Sequence, residues 1–295
     1  MSRRLISNLL LLCTALIWGA AFTAQSAGME HIGSWTFNCL RSWIAFAMLA
    51  VLMPFLDRIR SDVKKPETRE EKSKLLKAGV WCGIFLCAAS YFQQTGIQYT
   101  TAGKAGFLTA LYVILVPIIG IFFHRHTEGK VWIAALIACA GFWFLSVTDE
   151  ISVGYGDCLL LICSVLFAGH ILVIDHFAPQ CDGVRTSCLQ FLTVAVICTV
   201  PMLVLEHPDL SSILSAAVPV LYAGVLSSGA GYTLQIIAQK DADPTEAGMI
   251  LSLESVFSVL AGFIILHETL SIRELSGCAL VFAAVILCQL PSKKK

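Results

Sequence analysis

The chain has 295 residues, of which 57% are hydrophobic and 14% charged. Soluble domains carry about 25% charged residues, so this composition and a mean hydropathy of +0.79 indicate an integral membrane protein. Acidic and basic residues balance at 20 each, and no stretch shows the basic, aromatic-interleaved surface of a nucleic-acid binder.

Apolar stretches long enough to cross a bilayer, roughly 20 residues each, run the length of the chain. In chain order we predict ten spans, at about 5–27, 34–56, 75–97, 103–123, 130–147, 156–175, 184–205, 213–238, 245–266 and 272–290. The longest polar stretch, from Asp57 to Lys77, has the length of one loop, so we expect no extramembrane domain. The predicted fold class is therefore all-α integral membrane.

The sequence contains one unit twice. Third-helix residues recur 141 residues later in the eighth: Gly83, Tyr91, Gln94 and Gln98 as Gly224, Tyr232, Gln235 and Gln239. Fourth-helix residues recur 142 residues later in the ninth, as Ala105, Gly106 and Leu111 do in Ala247, Gly248 and Leu253. In the first two helices the offset is 149, as between Cys39 and Cys188. We expect two units, 1–150 and 151–295; five helices each is an odd number, so the second would be inverted, as in many secondary transporters.

Basic residues predict the orientation of the chain. With a cytoplasmic N-terminus and alternating helices, 17 of the 20 Lys and Arg residues lie inside, only Lys104 and Arg273 lie outside, and Arg41 lies within a helix. Both termini are then cytoplasmic. The two Arg and leucine-rich run at the start also fit a cleaved signal peptide. The counterpart of this run, around 157–172, favours a first helix that is retained.

Metal and cofactor sites are not expected. Eleven of the twelve cysteines lie inside predicted helices, and no two form a C-x-x-C pair. Buried thiols usually behave as small apolar residues.

Polar side chains at membrane depth are the candidates for function, because they are costly in lipid. Tyr91 and Gln94 share one face of the third helix, and Tyr232 and Gln235 share the corresponding face of the eighth. These stripes predict opposite walls of one water-filled cavity. Hydrogen bonding between helices is the alternative.

Glu254 lies near the middle of the ninth helix, where a carboxylate is strongly disfavoured, and Ser258 follows one turn later on the same face. We hypothesise that Glu254 sets charge preference or accepts a proton, and that Tyr112, its repeat counterpart, faces the same space. A permanent ion pair with Arg41 is the alternative. The counterpart of Arg41 is Gln190, which favours an architectural role for Arg41.

An aromatic face on the first helix carries Trp18, Phe22 and Gln25. This face either packs against other helices or forms a wall on which a solute stacks. His170, at mid-depth in the sixth helix, could shuttle a proton or simply be hydrogen-bonded. The Gly229–Gly231 segment would allow the eighth helix to bend or to pack closely.

These residues resemble the drug/metabolite transporter superfamily, in particular its EamA-type ten-helix members. The matching motifs are Leu16–Phe22, Arg41, Gly156-Asp157, Leu253-Glu254 and His267–Leu270. The sequence departs from the family pattern at Ser255, where Pro is frequent, and at Arg125-His126, where Gly-Glu is usual.

The resemblance implies two inverted five-helix repeats around a cavity lined by helices one, three, four, six, eight and nine. Such proteins move amino acids, other small metabolites, purines or drugs, mostly outward across bacterial inner membranes, and only some are linked to protons. We therefore predict an alternating-access exporter of amino acids or related small metabolites. Its partners would be a small-molecule substrate, lipid and, if it is coupled, protons; monomer and homodimer both stay open.

Four alternatives remain. Export of cationic drugs suits a polar cavity with one carboxylate. An intramembrane enzyme would need a nucleophile with a base or a metal cluster, and His267-Glu268 lacks the second His of a zinc motif. A receptor or scaffold would carry a soluble domain. A channel would show flux that does not saturate with substrate.

Overall fold

The computed structural model describes residues 3–59, 65–100, 102–124, 127–146, 154–265 and 271–290. The first half contains α1 (Arg3–Met29), α2 (Ser34–Ile59), α3 (Arg69–Ile97), α4 (Ala102–Ala110), α5 (Tyr112–Phe122) and α6 (Gly129–Ser146). The second contains α7 (Tyr155–Phe177), α8 (Gly183–Pro201), α9 (Leu210–Ser215), α10 (Ala217–Leu221), α11 (Thr233–Ala238), α12 (Pro244–Leu251), α13 (Glu254–Ile265) and α14 (Ile272–Gln289). Two π-helical segments, Met202–Glu206 and Tyr222–Tyr232, continue α8 and join α10 to α11.

The predicted all-helical membrane fold is confirmed. Eight helical stretches within the described ranges are long and apolar enough to cross a membrane, and Gly129–Phe144 is a shorter apolar helix. Each of the ten predicted spans coincides with one helix or with helices placed end to end. The motifs at Arg125-His126 and His267–Leu270 lie outside the described residues.

Three predicted spans are divided rather than continuous. The fourth breaks at Leu111, between α4 and α5, and the ninth breaks at Ser252 and Leu253, between α12 and α13. Because Leu111 and Leu253 are repeat counterparts, both halves break at the same place. The eighth span, Ala217–Ala238, has eleven π-helical residues in its middle. We call this span the eighth segment.

Helices of the two halves pack on one another in a matched pattern. The counterparts α2 and α8 contact each other, and so do the counterparts α6 and α14. Helix α1 packs against the eighth segment, and its counterpart α7 packs against α3, the counterpart of the eighth segment. These main contacts therefore recur when each helix is exchanged with its counterpart, as expected for a two-fold related pair of units.

Carboxylates fasten the α2/α8 pair at both ends. Asp57, near the end of α2, accepts hydrogen bonds of 2.6 and 2.7 Å from the guanidinium of Arg185, at the start of α8. Its counterpart Glu206, at the end of the α8 extension, accepts bonds of 2.7 and 2.6 Å from the backbone N–H and hydroxyl of Thr36, and one from the Trp35 N–H. A carboxylate at a helix N-terminus is favourable because it caps free N–H groups and meets the positive end of the dipole.

The crossing of α1 and α13 depends on Gly19. A Cβ added at Gly19 would lie 2.4 Å from the Phe257 Cβ and 2.8 Å from the Glu254 carbonyl oxygen. These atoms belong to, or sit directly on, the α13 backbone, so they cannot move independently of it. The position of Glu254 is therefore tied to the absence of a side chain at Gly19.

We expect Gly19→Ala to destabilise the protein by about 1–3 kcal/mol, the usual effect of overpacking a tight contact. Gly129→Ala is the matched control, since a Cβ there meets nothing within 4 Å. The melting temperature of the purified protein in detergent measures both. Equal melting temperatures for the two variants would contradict the close α1/α13 packing.

Candidate functional site

A hydrogen bond joins Tyr112 to its own counterpart, Glu254. The Tyr112 hydroxyl donates to Glu254 Oε1 at 3.0 Å, and both side chains are buried. Each residue is the first of a new helix after the mid-span break, Tyr112 in α5 and Glu254 in α13. In a pair of units related by a two-fold axis, a residue that contacts its own counterpart lies close to that axis. This bond therefore marks the centre of the bundle.

A small cavity adjoins this hydrogen bond. Its free volume is about 20 Å³, room for little more than one water molecule. Aromatic and polar side chains surround it, including one carboxylate and one guanidinium: Trp18, Phe22, Gln25, Arg41, Gln93, Thr109, Tyr112, Phe167, Ser227, Tyr232 and Glu254. All six spans expected to line a cavity contribute to it, and α2 adds Arg41.

Arg41 is buried in this cavity among neutral partners. Its Nη2 donates to the Ser90 hydroxyl at 2.9 Å, and its guanidinium carbon lies 6.0 Å from the centroid of the Phe37 ring. Its Nε is buried without a hydrogen-bond partner. No ion pair joins Arg41 to Glu254, because each is bonded to a different residue. The permanent Arg41–Glu254 pair is therefore not formed.

Tyr232 lines the same cavity as the two ionisable side chains. Its hydroxyl interacts electrostatically with both the Arg41 guanidinium and the Glu254 carboxylate. Its ring is held by three others, with centroid distances of 4.5 Å to Trp18, 5.7 Å to Phe191 and 5.8 Å to His170. Tyr232 therefore links the aromatic wall of the cavity to its polar groups.

His170 is hydrogen-bonded and does not line the cavity. It is fully buried, and its Nε2 lies 2.9 Å from Gln190 Oε1. Its Nδ1 and the Gln190 Nε2 have no hydrogen-bond partner. Gln190 is the counterpart of Arg41, so the equivalent place in the second half holds a neutral pair.

Six of the eleven candidate residues line the cavity: Trp18, Phe22, Gln25, Tyr112, Tyr232 and Glu254. The other five lie elsewhere. His170 pairs with Gln190, and Tyr91 stacks on Trp35 with a centroid distance of 4.2 Å. Gln94 donates to the Gln25 backbone carbonyl at 3.3 Å. Gln235 and Ser258 are buried but do not line the cavity. The Tyr and Gln stripes therefore do not form equivalent walls. Solute binding by these residues stays a prediction.

Five lining residues were not among the predicted site residues: Arg41, Gln93, Thr109, Phe167 and Ser227. Gln93 adjoins the predicted stripe at Gln94, and its Nε2 lies 3.5 Å from Thr109 Oγ1. In the sequence, Gln93 is indicated as a candidate by its place next to Gln94, since the two form a pair of adjacent amides at membrane depth. Ser227 lies inside the π-helical segment, where side-chain positions depart from the ordinary helical period.

Side chains of α1 bind carbonyl groups of the π-helical segment. Trp18 Nε1 donates to the Ser227 carbonyl at 3.1 Å, and Thr14 Oγ1 donates to the Gly231 carbonyl at 3.2 Å. A Cβ at Gly231 would lie 2.6 Å from Trp18 Nε1, so Gly231 allows this close approach. The counterparts of Trp18 and Thr14 are Phe167 and a cysteine. The matching α7/α3 interface therefore lacks these two donors.

Hydrophobic helices around a small polar cavity define an integral membrane protein with a polar centre. The family model described as the EamA-like transporter family matches residues 5–147 and 154–289, once in each half. The chain belongs to this family. It is a transporter rather than an enzyme, with a small-molecule substrate and several passes through a membrane.

Two similar proteins are also described as transporters. An uncharacterized transporter of Archaeoglobus fulgidus is 28% identical over 98% of this chain and 87% of its own length. The uncharacterized transporter YoaV of Bacillus subtilis is 21% identical over 94% of both chains. A protein of known crystal structure superimposes with a TM-score of 0.76 over 96% of both chains at 18% identity, which shows a shared fold.

Tyr112→Phe removes the hydroxyl that binds Glu254, leaving a buried carboxyl oxygen without this donor. We expect a loss of about 1–3 kcal/mol in the free energy of unfolding, the usual penalty for an unsatisfied buried group. Tyr99→Phe, at an exposed ring, is the matched control and should have little effect. Thermal unfolding in detergent measures both; an unchanged Tyr112→Phe variant would show that the bond does not support the fold.

Proposed function

We propose that the protein is an alternating-access carrier that moves amino acids or related small polar metabolites outward across the cytoplasmic membrane. The supporting observation is the central cavity, in which an aromatic wall, amide and hydroxyl groups, a carboxylate and a guanidinium face one small space. A small solute with an apolar part and polar ends would match this lining. A broken helix at mid-depth is also a common feature of transporter binding sites.

We propose further that residues 1–150 and 151–295 are inverted repeats, with both termini in the cytoplasm. Matched helix packing and the Tyr112–Glu254 contact support a two-fold relation between the halves. The distribution of Lys and Arg supports the orientation.

Two ion pairs in matched positions would close the ends of the cavity. Lys104, at the start of α4, binds Asp157, at the start of α7, at 2.7 Å. Glu246, the counterpart of Lys104, binds Arg4, at the start of α1, at 2.8 Å. In the proposed topology the first pair lies at the outer face and the second at the inner face. The charges are exchanged between the two pairs. The basic residue of the first pair lies on α4, whereas the acidic residue of the second pair lies on the counterpart helix α12.

Both ion pairs are formed in the structure, and the cavity between them is small, which fits an occluded state. Outward opening would separate Lys104 from Asp157, and inward opening would separate Arg4 from Glu246. Arg4 is half exposed, and exposed ion pairs contribute only about 0–1 kcal/mol, so the Arg4–Glu246 pair would oppose opening only weakly. The α2/α8 pair, fastened at both ends, would stay fixed while the other helices move.

Lys104→Gln should loosen only the outer end. Hydrogen–deuterium exchange of the purified protein should rise at the starts of α4 and α7 and stay unchanged at the starts of α1 and α12. Arg4→Gln should give the reverse pattern. Lys104→Arg and Arg4→Lys keep the charge and should resemble the wild type. An equal rise at both ends in either glutamine variant would refute separate gates.

Glu254→Gln keeps a hydrogen-bond acceptor for Tyr112 but removes the charge. If Glu254 sets charge preference or carries a coupled proton, the variant should fold normally, exchange solute at least about tenfold more slowly and lose its pH dependence. Counterflow in proteoliposomes across a range of pH measures this. Unchanged rate, affinity and pH dependence would remove Glu254 from the mechanism.

The substrate class is tested by a thermal-stability screen against amino acids and cationic drugs, followed by counterflow of every stabilising compound. We expect zwitterionic amino acids to stabilise the protein and to exchange with saturation. Stabilisation by cationic drugs alone would favour the alternative substrate class. Flux that does not saturate would favour a channel.

A further inference from the structure

We propose that Arg41 binds the carboxylate of the transported solute, and that Arg41 and Glu254 together select zwitterions. This inference rests on the proposed transport function. It gives Arg41 a role in binding. The comparison of Arg41 with its counterpart Gln190 alone favours an architectural role.

The environment of Arg41 lacks the partner that a buried guanidinium normally has. Burying a cation away from water is costly unless an anion or several acceptors compensate. Arg41 has the Ser90 hydroxyl, the Tyr232 hydroxyl and the face of Phe37 as partners, with the thiols of Cys87 and Cys198 nearby, and its Nε is unpartnered. A guanidinium presents a planar set of donors that fits a carboxylate with two parallel hydrogen bonds. A solute carboxylate would supply the missing anion.

The scaffold itself does not require a cation at this position. The counterpart of Arg41 is Gln190, which forms a neutral hydrogen bond of 2.9 Å with His170 in the other half. Both positions are fully or almost fully buried. Because a neutral amide occupies the equivalent place in the matched half, the charge of Arg41 is an addition to the shared framework.

Arg41 and Glu254 line the same cavity without pairing. The Tyr112 hydroxyl holds Glu254 Oε1, Ser90 holds the Arg41 Nη2, and Tyr232 interacts with both charged groups. Each of the two ionisable groups thus bonds a neutral side chain while both line one small cavity. A solute that carries both charges can meet them at once, its ammonium at Glu254 and its carboxylate at Arg41.

The same arrangement disfavours solutes with a single charge. A cation at Glu254 would be repelled by Arg41, and an anion at Arg41 would be repelled by Glu254, with little water to screen either interaction. Trp18, Phe22 and Phe167 remain for the apolar part of the solute. Arg41 therefore separates zwitterions from cationic drugs, the two substrate classes that a lone carboxylate would accept.

Binding and counterflow with matched probes test this assignment in the full-length protein. The probes are L-leucine, L-phenylalanine and L-threonine, each with its amide, which lacks the carboxylate, and its des-amino acid, which lacks the ammonium. The wild-type protein should bind each amino acid at least about tenfold more tightly than either analogue, the usual weight of a charge-assisted hydrogen bond.

Arg41→Gln should lose about 10- to 100-fold in affinity for the amino acids and little for the amides. The preference of the protein for amino acids over amides should therefore narrow or reverse. Glu254→Gln should instead lose discrimination against the des-amino acids. A role in folding alone would lower binding of all probes together. Arg58→Gln, an exposed arginine near the end of α2, is the matched control and should leave every affinity unchanged.

Wild-type protein that binds amides as tightly as amino acids would overturn the assignment while leaving the carrier function intact. Equal weakening of all probes by Arg41→Gln would overturn it as well. If Arg41→Gln does not fold, Ser90→Ala replaces it as the test variant, because it keeps the guanidinium and removes the hydroxyl that binds its Nη2. The comparison of amino acids with their amides in the wild-type protein tests the assignment without any variant. If no probe binds or exchanges, the proposed amino-acid transport itself is wrong, and this assignment is wrong with it.

Discussion

The hydrogen bond between Tyr112 and Glu254 is the contact around which the molecule is arranged. A carboxylate at membrane depth needs a partner, and here the repeat counterpart supplies it. The bond can form because α4/α5 and α12/α13 break at matched positions and cross at the centre. Gly19 allows α1 to lie directly against the start of α13. The small cavity, the aromatic wall and the two buried charges are all grouped around this one contact.

Shared and divergent positions in the two halves have different roles. Contacts repeated in both halves, such as the carboxylates of Asp57 and Glu206 at the ends of α2 and α8, hold helices together. In the proposed mechanism, positions that differ carry the chemistry: the counterpart of Glu254 is a tyrosine, and that of Arg41 is a glutamine. In the proposed alternating-access carrier, a two-fold framework would give the bundle two equivalent ends that open in turn. Its departures from symmetry give the cavity its charges.

Much of this could be predicted from the sequence, because hydropathy and the repeat are strong signals. The ten spans, the family and six cavity residues were predicted. Hydropathy cannot show the breaks at Leu111 and Leu253, since apolar residues continue through them. Helical periodicity gives Tyr91 and Tyr232 equivalent places, but Tyr91 stacks on Trp35 and Tyr232 faces the cavity. The pairing of residues far apart in sequence, such as Arg41 with Ser90, has no local signal.

The central claim is that one solute bridges Arg41 and Glu254 at the meeting point of the two halves. Its most direct test is an electron cryo-microscopy structure of the protein reconstituted with a saturating amino acid. We expect density between the two side chains, with the carboxylate at the Arg41 guanidinium and the ammonium at Glu254. Density at any other place in the bundle, or a bound amino acid that touches neither charged group, would contradict it.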